Sequence, residues 1–179
     1  MASSFYSAAP APVLETERLK LRGHCLADFA ASSAMWADPV VTRHVGGRPL
    51  SQEECWSRLL RYVGHWALLG FGYWVVEEKV TGSFIGEIGF ADYKRDMEPP
   101  LKDTPEIGWV FATQFHGMGY ATEAVREAVA WGDARFGGGA TACIIDPENF
   151  ASIRVAEKCG YRKSHLANYK GHSTLVFVR

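Results

Sequence analysis

The chain has 179 residues, of which 47% are hydrophobic, 13% aromatic and 22% charged, with a formal net charge of −1. That length buries a core without help from metals or disulfides, and that composition excludes a disordered or fibrous chain. A net charge near zero argues against bulk attraction to nucleic acid or to an anionic membrane, and no run approaches the ~20 apolar residues of a membrane span.

The opening, MASSFYSAAPAP, has neither a basic stretch nor a sustained apolar one. Residues 1–13 are therefore expected to form a flexible tail, and 14–179 a single domain. Glu17 to His24 alternates Leu19 and Leu21 with charged neighbours, as a half-buried strand does. CLADFAASSAMWAD and LSQEECWSRLLRYVGHWALLG then carry apolar residues at helical spacing, and Ser51 with Glu54 forms a capping-box signature. PVVTRHVGGRP between them reads as a loop.

FGYWVVEEK and GSFIGEIGFADY are rich in aromatic and β-branched residues around Val80-Thr81-Gly82, which predicts an antiparallel hairpin. Lys94 to Thr104 is polar and proline-bearing, a loop; PEIGWVFA is the fourth strand candidate. From Tyr120 to Phe136, Ala121, Ala124, Val125, Ala128 and Val129 share one face of a helix that stops at Gly137-Gly138-Gly139. ATACIID is a short buried fifth strand. Asn149 is an N-cap for a helix closed by Gly160, and two last strands flank Gly171. This order predicts an α+β, three-layer α/β/α fold around a mixed sheet of about seven strands.

Cys25, Cys55, Cys143 and Cys159 make no CxxC pair, so neither a zinc site nor a redox dithiol is signalled, and reduced thiols in a cytoplasm are expected. His24, His44, His65, His165 and His172 show no ligand spacing, so no metal is expected. The six tryptophans read first as core.

QFHGMGYATEA, Gln114 to Ala124, carries the chemistry. A strand feeding a glycine-bearing turn and then a helix presents unpaired N–H groups at the positive end of the helix dipole, where phosphate binds. Gly117 and Gly119 let the backbone approach closely. The Walker pattern fails for want of its lysine, and the dinucleotide fingerprint fails at Thr122.

This stretch resembles the acyl-CoA pyrophosphate loop, Q/R-x-x-G-x-G/A, of the GNAT N-acetyltransferases. LETERLKLR, DPVVTRHVGG, EIGWVFATQFHGMGYATEAVREAVAWG and ENFASIRVAEKCGY are similar to the RimJ/RimL-like branch, in order, over residues 13 to 179. The resemblance implies acetyl-CoA as co-substrate and a splay between the fourth and fifth strands. It also implies that Gln114, Phe115, His116, Gly117, Met118, Gly119, Tyr120, Ala121 and Thr122 hold the pyrophosphate. Val110, Phe111 and Ala112 would pair with the pantetheine arm, an amide near Val110 would polarise the thioester, and Asn149 would contact the arm. Glu106 is the first-choice base, Glu87 the second; the bland reading of either is a solvent-facing strand residue. Ala156 stands where many relatives place a tyrosine acid, leaving Ser152 as the group beside the thiolate sulfur. His116 replaces an aromatic residue and can simply face solvent. Cys143 would lie near the thioester, and Trp36, Trp56, Trp66 and Trp74 nearest the substrate-side helices.

The implied activity is acetyl transfer to a primary amine, either a protein or peptide N-terminus or a small molecule such as a polyamine, aminoglycoside or amino-acid-like amine. A non-catalytic acyl-CoA sensor is the reading from another class. The loops Asp38 to Arg48 and Lys94 to Thr104 would read the acceptor. A homodimer is the oligomeric expectation, with no nucleic acid and no membrane as partners.

Overall fold

A computed structural model describes residues 11–101 and 103–179, so the expected tail lies largely outside the described residues. Within these, nine strands form one sheet in the order β1-β2-β3-β4-β6-β7-β9-β8-β5. The strands are β1 (Leu14–Glu15), β2 (Leu19–Arg22), β3 (Tyr73–Glu78), β4 (Phe84–Ala91), β5 (Met97–Glu98), β6 (Glu106–Phe111), β7 (Ala142–Ile145), β8 (Arg162–Tyr169) and β9 (His172–Val178). The helices are α1 (Phe29–Trp36), α2 (Pro39–Thr42), α3 (Gln52–Leu69), α4 (Tyr120–Arg135) and α5 (Phe150–Lys158). No described helix is long and apolar enough to cross a membrane.

The long elements follow their sequence signals. Leu19 and Leu21 are fully buried on β2, as their alternation requires. α3 starts on the expected capping box: Ser51 Oγ accepts from Glu54 N at 3.2 Å, and Ser51 N donates to Glu54 Oε2 at 2.8 Å. It stops at Gly70, whose φ of +69° is the left-handed conformation that suits glycine at a helix C-terminus. α4 buries Ala124, Val125, Ala128 and Val129 against Phe90, Ile107, Cys143 and Phe177 of the sheet.

Three short pieces depart from the expected order. Asp38–Thr42 is not open loop but one helical turn, capped when Asp38 accepts from Val40 N at 2.8 Å and started by Pro39. β1 extends the sheet by pairing with β2, and β5 pairs with β8 at the far edge. Two-residue strands carry no periodicity, so nine strands stand where the pattern counts about seven.

One face of the sheet carries α4 and α5. The other carries α1 and α3 over β3 and β4, while Met97 and Leu101 of the 92–105 segment pack on Ala167, Val176, Ile144 and Val178. Helices thus cover half of that face, and a tied-down loop covers the rest.

Candidate active site

The sheet changes character between β6 and β7. These neighbours are parallel, and a single residue pair, Glu106 with Ala142, joins them, fixed by Ala142 N donating to Pro105 O at 3.0 Å. Beyond that pair they diverge, which is the splay expected between the fourth and fifth long strands. Strand parity decides which amides face the opening. Ala112 N donates to Ile85 O at 3.0 Å, so the backbone groups of Ala112 and Val110 turn toward β4. Those of Trp109 and Phe111 turn toward the gap. Of the amides near Val110, its own N–H is spent on the β4 ladder, and those of Trp109 and Phe111 are the ones that face the gap. On the opposite rim, the reciprocal bonds between Thr141 and Arg179 put Ile144 on the gap side of β7.

β6 runs into a single 3-10 turn, Thr113–Phe115, then Gly117 (φ +76°) and Gly119 (φ +82°), the N-cap of α4. Both glycines take the left-handed conformation that side chains resist. Among the described residues, the N–H groups from Gly117 to Thr122 have no protein partner; Glu123 N is the first to bond back, to Gly119 O. No side-chain cap is present. A row of free amides at a 16-residue helix start fits a diphosphate, and a Cβ at Gly117 would meet nothing within 4 Å.

Arg18 braces this loop. Its Nη1 donates to Met118 O at 3.0 Å, its guanidinium lies 4.4 Å from the Tyr120 ring centroid, and it pairs with Glu123 at 2.6 Å. Sequence reading missed Arg18, because its partners lie about a hundred residues away. His116 does not merely face solvent: its Nε2–H donates to Phe111 O at 2.8 Å, closing one acceptor on the rim. Asn149 Oδ1 accepts from Ser152 N at 3.1 Å and so caps α5, leaving its amide nitrogen free among the described residues. Ser152 sits half-buried on that first turn.

Neither candidate glutamate is a solvent-facing strand residue. Glu106 is 6% exposed, and both its oxygens are taken by Arg95, Nε at 2.5 Å and Nη2 at 2.7 Å. Arg95 in turn lies over Tyr93 and Tyr169. Glu87 is fully buried and accepts from Ser32 Oγ at 2.6 Å and Trp36 Nε1 at 2.9 Å, with His24 Nε2 3.6 Å away. Burial opposes its charge, but His24, Ser32 and Trp36 outweigh that and hold the carboxyl below the usual range. Cys143 is buried, and burial pushes its thiol far up, so it is an inert core thiol. Trp66 and Trp74 pack on Trp131 in the core, Trp36 lies under Arg58, and Trp56 alone of the substrate-side four is exposed.

One segment bridges the mouth of the splay. Asp38 accepts from Thr113 Oγ1 at 2.6 Å at the end of β6, and Val41 and Val45 pack among Val110, Ala112 and Phe115. His44 then reaches the other rim, with Nδ1 3.1 Å from Oδ2 of Asp146, one residue past β7.

The acetyltransferase (GNAT) domain family matches residues 18–162 of the chain. An uncharacterized protein of Bacillus subtilis (strain 168), YkkB, is 33% identical over 93% of this chain and 94% of its own. A crystal structure of an acetyltransferase from Agrobacterium tumefaciens strain C58 superposes with a TM-score of 0.81 at 30% identity, over 94% of each chain. RimL, a ribosomal L7/L12 alpha-N-protein acetyltransferase in complex with coenzyme A, shares the fold with a TM-score of 0.74 at 16% identity, over 94% of this chain and 97% of its own. With its free helix-start amides beside a parted pair of parallel strands, the chain belongs to the GNAT family and is an acetyl-CoA-dependent N-acetyltransferase.

Proposed function

We propose that this chain acetylates the α-amino group of a peptide or protein N-terminus, as a member of the RimJ/RimL-like branch. The carrying observation is the run of free amides from Gly117 to Thr122 beside the β6–β7 splay, which fits the diphosphate and the arm of one ligand. Acetyl-CoA supplies the activated acyl group. Gln114–Thr122 would grip its phosphates, Phe111 and Trp109 would pair with the arm, Asn149 would reach it through its amide, and the Ser152 hydroxyl would meet the leaving sulfur.

An N-terminal acceptor suits this site. An α-amino group titrates near ~7.7–8.0, against ~10.4 for a lysine, so a weak base suffices to keep it neutral. Glu106 serves that reading as an anchor for Arg95 rather than as the base, since Arg95 holds both its oxygens. The RimL-like wording of the sequence supports the N-terminal acceptor and a homodimer; the absence of any CxxC pair supports a cytoplasmic location with reduced thiols.

The test follows free thiol release from acetyl-CoA with unblocked alanyl and seryl peptides, their N-blocked forms, polyamines and aminoglycosides. Release with unblocked peptides alone is expected. Turnover of polyamines or aminoglycosides in preference to every peptide moves the acceptor to a small amine, and acetyl-CoA binding by calorimetry without any thiol release overturns the transfer reading.

A further inference from the structure

Both candidate glutamates are already engaged, Glu106 by Arg95 and Glu87 by Ser32 and Trp36. We propose that His44 takes the proton of the acceptor amine through Nε2, with Asp146 as the positioning residue that fixes the ring. This rests on the acetyl-transfer reading above.

Placement comes first. His44 lies on the segment that crosses from Thr113 at the end of β6 to Asp146 at the end of β7, so it spans the opening on the side of the sheet where α1 and α3 pack. Val45 beside it packs with Val110 and Ala112, whose strand borders the splay. Asn149 and Ser152, expected at the arm and the sulfur, begin the helix that follows Asp146.

Chemistry comes second. A carboxylate on Nδ1 fixes the tautomer with the proton on that nitrogen and leaves Nε2, across the ring, as the acceptor. Nε2 has no protein partner among the described residues, and the side chain keeps 21% of its surface exposed. Burial works against the Asp146 charge, but the amide of Glu148 and the ring of His44 hold its carboxyl below the usual range. The other charges nearby are Arg43 on the same segment, which acts on Asp146, and Asp38, which feels His116 at the end of β6.

The protons balance as follows. Nε2 removes one proton from the ammonium form, R–NH3+, giving R–NH2 and an imidazolium paired to Asp146. The nitrogen adds to the thioester carbon, so C–N forms; C–S then breaks and the thiolate leaves. The second nitrogen proton ends on the sulfur, and the imidazolium returns its proton to water.

Two readouts test this. Carbon–proton NMR of the His44 ring in the protein without coenzyme gives its titration directly. Asp146→Asn removes the partner of Nδ1, and whatever change this makes in the ring titration should appear by the same amount in the acidic limb of kcat/KM for the unblocked peptide. His44→Ala should lower kcat about a hundredfold while leaving the acetyl-CoA Kd within twofold, and added imidazole should restore part of the loss. The inference is overturned if His44→Ala keeps kcat within threefold, if imidazole restores nothing, or if the kinetic limb ignores the ring titration. A wild-type chain that binds acetyl-CoA but turns over no amine removes the transfer reading itself, and this inference with it.

Discussion

At the residue scale, Gly119 is where the cofactor loop is most exposed to a single change. Its φ of +82° suits glycine, and asparagine or aspartate tolerate that region better than other residues. An added Cβ would lie 3.5 Å from Arg18 Nη2, so an aspartate there finds a cationic partner and the loop keeps its path. Its carboxylate would then sit among the amides meant for phosphate. Gly119→Asp should weaken acetyl-CoA binding at least tenfold by calorimetry while the thermal midpoint moves by only a few degrees. An unchanged Kd in the folded variant would take the diphosphate off this loop. The glycines and the capping Asn149 were readable because their role is local, written within a few neighbours. Arg18 was not, since it meets Met118 and Glu123 only after α4 packs on the first strands.

At the element scale, legibility follows length. α3 announced its start with Ser51 and Glu54 and its helical nature with the spacing of its apolar residues; the structure buries Cys55, Leu59, Tyr62 and Trp66 and ends the helix at Gly70. Because the cap satisfies helix-start N–H groups that have no intrahelical partner, Ser51→Ala should lower stability by about 1 kcal/mol, read as a shift in denaturant midpoint at constant slope. No shift would mean that packing of α3 on β3 and α1, rather than its cap, sets where the helix begins. α2 and β5 gave no comparable signal. A single turn needs only Asp38 and Pro39 to begin, and β5 exists because β8 offers an open edge. The signal for α2 is local but too short to show a repeat, whereas the open edge of β8 is a tertiary cause absent from any short window.

At the scale of the whole molecule, the order of long strands and helices was legible, whereas the polar wiring of the substrate face was not. Glu106 sits on β6 and its partner Arg95 on a segment that leaves β4, pairs with β8 at the far edge and returns. The segment lays Met97 and Leu101 over β7, β8 and β9 where the other side of the sheet has helices. The Arg95–Glu106 pair therefore ties this covering to the strand that borders the splay. Arg95 is 19% exposed and Glu106 8% by side chain, so cutting one partner leaves a largely buried charge, at a cost of about 3 kcal/mol. Arg95→Met and Glu106→Leu should each destabilise strongly, and the double variant should recover at least ~1 kcal/mol relative to their sum. The same variants separate anchor from base. If Glu106 only holds the covering in place, the folded double variant keeps acetyl-CoA affinity and turns over the unblocked peptide within a fewfold of wild type. If Glu106 took the amine's proton, turnover would stay lost in the double variant however well stability returned, and the role assigned to His44 would pass back to the strand.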